Sequence, residues 1–322
     1  MRALRFEKTG SLEELSIREI PVPRPAQGEV LVKVGAAAIN PSDIKTVQGK
    51  MRGTTVPRTP GRDFAGIVTE GPDDLVGKAV FGSGGNLGFG RDGSHAEFLA
   101  VPAGAVLPLP RGVSIEQGAG IGVSYMTAWS AIVNAARLQK GEVVLITGTT
   151  GNVGGVAARI AHGLGARVLG VVRSTADLAK VGDLPVDTWI DLQATGLSEG
   201  ARAATDGRGV DVVLDVVGGA VFEKCLAALA WRGRQVAIAS VPLARVEFNL
   251  VDFYHNESRL LGVDSLKLSF GEAAGILRSL TPLIESGALP PPRVDPYPLD
   301  QAPRLYRQID ASTLKGKPVL VP

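Results

Sequence analysis

The sequence predicts an α/β chain in which a small β barrel or sandwich is interrupted by an inserted, doubly wound parallel sheet. Three observations carry this. Roughly the first hundred residues break into short β-like runs punctuated by Gly and Pro. From residue 143 to 238, strand-like and helix-like segments alternate. The tail that follows holds one amphipathic helix and one strand, too little for a core of its own, so it should return to the first domain.

Taken in order, the strand-like runs are 2–6, 15–20, 29–36, 66–69, 79–81 and 95–101, with loops at Pro21-Val22-Pro23-Arg24-Pro25 and 82–93. Ser114-Ile115-Glu116-Gln117 has the spacing of a capping box and opens a helix. A second helix is expected over 125–136. A strand at 143–147 then leads into a glycine-rich turn and a helix from Asn152. Strands at 168–172, 189–190, 210–215 and 235–238 follow, with a helix near 220–229 before the last of them. The tail reads as a helix at 270–286, a proline-rich loop at 289–298 and a strand at 318–321. The domains are therefore expected at 1–123 with 262–322, and at 124–261.

Composition narrows the function classes. The 322 residues allow two cores, and 45% apolar with 20% charged is ordinary for a globular protein. A net charge of +2 speaks against a nucleic-acid or membrane surface. Cys225 is the single cysteine, so neither an intrachain disulfide nor a thiolate metal cage can form. The start, MRALRFEKTG, shows no secretory signal, and no apolar run approaches the ~18 residues that span a bilayer. A soluble cytoplasmic protein is expected.

The chemistry begins at residues 147–155, TGTTGNVGG, directly after the apolar run Val143-Val144-Leu145-Ile146. The spacing Gly148-x-x-Gly151-x-x-Gly154 departs from G-x-G-x-x-G. Context supplies what the glycines alone do not. Val153, Val156, Ala157, Ile160, Ala161 and Leu164 fall on one side of the following helix. Glycines let backbone approach a pyrophosphate, and the helix N-terminus favours its charge. Either a tight βα turn or a dinucleotide site has this form, and the agreement of strand, loop and helix favours the latter.

In NAD-binding folds an acid about 20 residues beyond the glycines takes the adenosine ribose hydroxyls. Here that strand end is Arg173-Ser174, which suits a 2′-phosphate, so NADPH is the expected cofactor. Asp177, one helical turn on, pulls the other way. Val217, Ala239 and Ser240 lie at strand ends, where ligands bind in such sheets.

The loop string alone is also that of short-chain dehydrogenases, which pair Tyr and Lys four apart. Tyr125, Tyr254, Tyr297 and Tyr306 are followed at that distance by Trp129, Ser258, Gln301 and Asp310, so that reading fails. Several stretches, in order along the chain, resemble the medium-chain dehydrogenase/reductase superfamily, in its zinc-free quinone oxidoreductase (zeta-crystallin-like) branch. They are Gly28-Glu29-Val30-Leu31-Val32-Lys33-Val34, Asn40-Pro41-Ser42-Asp43, Pro60-Gly61-Arg62-Asp63-Phe64-Ala65-Gly66, Met126-Thr127-Ala128-Trp129, the glycine loop and Gly316-Lys317-Pro318-Val319-Leu320. The resemblance implies a GroES-like catalytic domain, an inserted Rossmann domain and a homodimer.

It also implies site residues. Asn40 looks like the residue that faces the nicotinamide end and donates through its amide, although a turn residue before Pro41 is an ordinary alternative. Thr127 resembles the Thr near the nicotinamide ribose. Tyr125 is a third catalytic candidate as a proton or hydrogen-bond donor, against a plain role as a core aromatic. Thr150, Gly151, Asn152 and Val153 resemble the pyrophosphate loop, and Val263 and Asp264 the segment that holds the carboxamide. Lys315 is a candidate for a phosphate or a solvated side chain. Many quinone reductases have Lys near position 177 and Tyr at 192, where this chain has Asp177 and Leu192.

Zinc-dependent members would carry Cys within the Asn40–Asp43 stretch and His-Glu at Arg62-Asp63, and His95, His162 and His255 lack ligand spacing, so no metal is expected. Quinones and α,β-unsaturated carbonyls take hydride to give weakly basic products, which suits a site without a Lewis acid. The expected activity is therefore NADPH-dependent reduction of a small quinone or carbonyl substrate. Leu261-Gly262-Val263-Asp264-Ser265 resembles the acryloyl-CoA reductase branch, an alternative within the class. A cofactor-binding sensor without turnover is the alternative outside it.

Overall fold

The computed structural model describes residues 1–240 and 244–322. The chain opens with β1 (Arg2–Arg5), β2 (Ser16–Glu19), β3 (Glu29–Ala38), α1 (Pro41–Val47), β4 (Phe64–Glu70), β5 (Ala79–Gly82), β6 (Phe98–Pro102), β7 (Val106–Pro108) and α2 (Ile115–Trp129). β8 (Val143–Ile146), α3 (Asn152–Gly163), β9 (Arg167–Val172), β10 (Thr188–Asp191), α4 (Leu197–Ala203), β11 (Val210–Asp215), α5 (Phe222–Ala227), β12 (Leu229–Ala237), α6 (Leu250–His255) and β13 (Arg259–Gly262) follow. α7 (Phe270–Glu285), β14 (Asp295–Pro298), α8 (Ala302–Asp310) and β15 (Pro318–Val321) close it. Two compact units result, 1–126 with 265–322, and 127–264.

In the first unit β3 is the hub of a seven-stranded sheet, pairing with β4, β6 and β15. The β15 pairing brings the tail home. Leu320 joins Leu4, Phe6, Ile44, Val47, Leu305 and Tyr306 in one apolar cluster, which no tail of that length could build alone. The proline-rich loop expected at 289–298 instead ends in β14, parallel to β15. Its two prolines are tolerable because it is an edge strand. α8 was also unforeseen, yet it starts with a Pro in its first turn and buries Ala302, Leu305 and Tyr306 on one stripe.

The capping box at Ser114 is formed: Gln117 N donates to Ser114 Oγ at 3.2 Å and Ser114 N to Gln117 Oε1 at 3.1 Å. The two helices expected after it are one run, bent at Gly122 (φ −25°, ψ −108°) and continued by a π-helical turn, Ser130–Ala135. The bend has a cause. A Cβ at 122 would stand 2.0 Å from Asp63 Oδ1, so only glycine lets this segment pass the carboxylate.

The second unit is a six-stranded sheet in the order β10-β9-β8-β11-β12-β13, with all pairs parallel. Its strands are near-continuous apolar runs, as burial on both faces demands; Val143, Leu145, Leu169, Val213 and Cys225 share one core. α3 buries Val156, Ala157, Ile160 and Ala161 as its periodicity predicts. Leu164 does not follow them: it is the C-cap, past the last full turn, and 38% exposed. The helix expected near 220–229 is a short 3₁₀ turn plus α5, because β12 already begins at Leu229. No described helix is long and apolar enough to cross a membrane.

Candidate functional site

The nucleotide end of the second unit is built at the C-terminal ends of β8 and β11. The chain leaves β8 toward β9 and β10 on one side and resumes at β11 on the other, and ligands bind at such a switch point. The loop threonines there are structural. Buried Thr147 donates through its hydroxyl to Asp215 Oδ1 (2.9 Å) and accepts from Val216 N (3.0 Å). Buried Thr149 donates to Ile146 O (2.6 Å) and accepts from Val171 N (3.0 Å). Together they tie β8 to both neighbours.

The glycines differ in what they permit. Gly148 has φ +56°, and a Cβ on it would meet Val216 Cγ2 at 2.6 Å. A Cβ on Gly154 would lie 2.3 Å from Gly148 O and 2.8 Å from Thr149 Cα, both unyielding backbone. Gly151 is the N-cap of α3 and has no side-chain capping bond. The first N–H groups of α3, at Asn152 and Val153, therefore have the arrangement that takes an anion. Thr150, Gly151 and Asn152 are exposed and Val153 partly so.

Around this turn stand the other candidates of the unit. Asp215, which no sequence motif marks, organises the end of β11: its Oδ1 also accepts from Val217 N (3.1 Å) and Gly218 N (2.8 Å). Gly218 (φ +68°) packs against Ala239, where a Cβ would meet the carbonyl at 2.4 Å, and Gly219 N donates to Ser240 Oγ (3.3 Å). Val217, Ala239 and Ser240 are thus neighbours. Val263 N pairs with Ala237 O at 3.1 Å, and Asp264 is exposed. Arg173, beyond β9, is 89% exposed, and its Nε lies 3.6 Å from Asp177 Oδ2. Ser174 caps the following 3₁₀ turn without a side-chain bond. Thr127, 7% exposed, begins the unit.

The first unit holds a separate buried polar cluster. Asp63, fully buried, accepts from Asn40 Nδ2 (2.9 Å), Ser83 Oγ (2.6 Å) and Val123 N (2.9 and 3.0 Å to its two oxygens). The bend at Gly122 frees the Val123 amide for this bond. Asn40, the N-cap of α1, is 4% exposed, and its backbone N–H donates to Asp43 Oδ2 at 2.7 Å. Burial, with Asp63 beyond, pushes the Asp43 carboxyl up to about 7. Arg62 is 1% exposed, donates to Gly85 O (3.3 Å) and stacks over Phe89. His95 is held between Tyr306 OH (2.9 Å, at Nδ1) and Ala38 O (3.1 Å, at Nε2), and burial lowers it to about 4.

Two lysines near the terminus exchange expected roles. Lys315 is exposed. Lys317, within the stretch Gly316-Lys317-Pro318-Val319-Leu320, is 3% exposed and donates from Nζ to Ser124 Oγ at 2.7 Å. Burial lowers its ammonium to about 8, against the opposing pull of Asp63. The available signal was parity: Lys317 shares a face with Val319, which is buried. Tyr125, 3% exposed, donates its phenol to Pro290 O at 2.7 Å.

Comparisons with known proteins find family matches in two parts of the chain. Residues 26–111 match the alcohol dehydrogenase GroES-like domain, and residues 152–279 the zinc-binding dehydrogenase family. A zinc-type alcohol dehydrogenase-like protein of Schizosaccharomyces pombe is 34% identical over 291 residues, 89% of this chain and 85% of the relative. Quinone oxidoreductase of Rattus norvegicus is 30% identical over 329 residues, 100% of this chain and 98% of the relative. The solved structure of an NAD-dependent alcohol dehydrogenase superposes with a TM-score of 0.90 at 26% identity, covering 100% of each chain.

The zinc in those descriptions does not fit the donors present. Among the described residues no group of three or more His, Cys, Asp or Glu could hold a metal. Asp63 already takes hydrogen bonds on both oxygens, Arg62 stands beside it in sequence, His95 is engaged on both ring nitrogens, and Cys225 is in the core of the other unit.

Proposed function

The chain belongs to the medium-chain dehydrogenase/reductase superfamily, in its quinone oxidoreductase-like branch, and from that premise we propose a zinc-independent, NADPH-dependent reductase of quinones and α,β-unsaturated carbonyl compounds. That it is an oxidoreductase using a nicotinamide cofactor follows from the family. The finer reading is supported chiefly by one observation, the saturation of Asp63 by Asn40, Ser83 and Val123. Where zinc members hold a Lewis acid, this chain has a locked carboxylate. An acceptor whose reduced form is weakly basic needs no Lewis acid.

When bound, the reduced nicotinamide supplies hydride. The protein's own part is binding, orientation and charge. The uncapped N–H groups of α3 take the pyrophosphate, and the close packing of Gly154 on Gly148 brings backbone near it. Asp63 holds the Asn40 amide in one orientation, and that amide is the group we assign to the developing oxyanion.

The preference for NADPH rests on Arg173. Asp177 engages its Nε side, and the two terminal guanidinium nitrogens suit a 2′-phosphate. Steady-state kinetics test this: KM for NADPH should lie below that for NADH. Arg173→Glu should raise KM for NADPH about 10- to 100-fold, the worth of one charge-assisted hydrogen bond, and spare NADH. A wild-type KM for NADH well below that for NADPH refutes the Arg173 assignment.

A further inference from the structure

We propose that Lys317, acting through Ser124, supplies the proton that completes reduction of an α,β-unsaturated carbonyl substrate. The inference rests on the reductase reading above and extends it to the proton donor.

The geometry is that of a short proton wire. Lys317 Nζ donates to Ser124 Oγ at 2.7 Å, and the two residues are 3% and 4% exposed. An ammonium has three N–H donors, and among the described residues only this one finds an acceptor. The Ser124 hydroxyl accepts from Lys317, and among the described residues its own hydrogen has no acceptor, which leaves it available at the far end. Ser124 follows Val123, whose amide is fixed on Asp63, which in turn fixes Asn40. The hydroxyl is therefore anchored to the same cluster that orients the Asn40 amide. Tyr125, the next residue, already donates to Pro290 O.

The charge environment keeps Lys317 poised. Asp63 is the charged group that acts on it, with Asp43 and Arg62 acting within the same cluster. Burial wins over Asp63, and the ammonium titrates at about 8, so it holds its proton at neutral pH yet gives it up readily.

The step balances. The hydride that the reduced nicotinamide would give up, itself being oxidised, forms the new C–H bond at the β carbon as the C=C electrons move toward the carbonyl oxygen to give an enolate. The Ser124 O–H bond breaks as its proton joins the α carbon, and a Lys317 N–H bond breaks to restore the hydroxyl. The neutral amine regains a proton from solvent. Protonation at carbon is slow without a placed acid, whereas a reduced quinone is protonated at oxygen, which water does quickly.

The test compares an enone with 1,4-benzoquinone in wild type, Lys317→Gln and Ser124→Ala. Both variants should cut enone turnover at least about tenfold more than quinone turnover, since a general acid contributes about 100-fold or more. Wild-type kcat with the enone should fall as pH rises through about 8, because the protonated amine is the active form, and both variants should lose that limb. In cofactor-free protein, an NMR titration of the lysine side chains should show one midpoint near 8 that Lys317→Gln removes. Equal losses with both acceptors and an unchanged pH profile overturn the proposal, as does a titration with no such lysine. Ser124→Ala is a small change that keeps the test valid should Lys317→Gln fail to fold. A wild type inert toward both acceptors instead removes the reductase reading, a result distinct from a live enzyme insensitive to either variant.

Discussion

Asp63→Ala should destabilise the first unit by about 3–5 kcal/mol, the cost of stripping a buried, hydrogen-bonded charge from its partners. Three donors would lose their acceptor at once: the Asn40 amide, the Ser83 hydroxyl and the Val123 N–H. Gly122 would face a void in place of the carboxylate it was shaped to clear. Urea unfolding of the purified chain reads the loss directly. Asp63→Asn keeps the shape and one acceptor and should cost less, but it presents an amide to donors. It should also move the Lys317 ammonium further below 8, since Asp63 is the group that opposes its fall. An Asp63→Ala protein as stable as wild type contradicts the account of this cluster.

Gly154→Ala should abolish tight dinucleotide binding, with Kd raised about 100-fold or more, and lower stability by about 1–3 kcal/mol, the usual cost of overpacking. The added Cβ would meet the Gly148 carbonyl at 2.3 Å and Thr149 Cα at 2.8 Å. Neither is the end of a flexible side chain, so the whole turn must shift away from the helix N-terminus proposed to hold the anion. Gly151→Ala is the control for folding. Its Cβ would meet only Gly148 O, at 3.2 Å, and φ is −86°, which any residue adopts, so its stability loss should stay below that of Gly154→Ala, at about 1 kcal/mol for an N-cap changed to Ala. Fluorescence titration with NADPH and thermal unfolding of both variants make the comparison. Equal behaviour of the two would show that the close approach at Gly154 is not what shapes the loop.

How much of this was legible in the sequence depends on how local the cause is. The strand, turn and helix around TGTTGNVGG follow from a β-branched run, glycines and a period of 3.6, all within a score or so of residues. Ser114 and Gln117 announced their helix for the same reason. The polar cluster is different. Asp63, Ser83 and the Val123-Ser124 pair lie far apart in sequence, and no spacing announces that a bend at Gly122 aims the Val123 amide at Asp63. A lysine before a closing strand reads as a solvated or phosphate-reaching side chain, as for Lys315, and nothing in Gly316-Lys317-Pro318-Val319-Leu320 marks Lys317 as buried. Only the return of β15 to β3 buries Lys317 beside Ser124. Asp215 escaped likewise, since its three loop donors are brought to it by the turn after β11 and by Thr147 from another strand.

Turnover without zinc is read out by acceptor-dependent oxidation of NADPH in chelator-treated protein. NADPH should be consumed when 1,4-benzoquinone or a simple enone is added, and added zinc should not raise the rate. Tight NADPH binding with no oxidation across a panel of quinones and enones would contradict it, and so would a rate that appears only when zinc is restored.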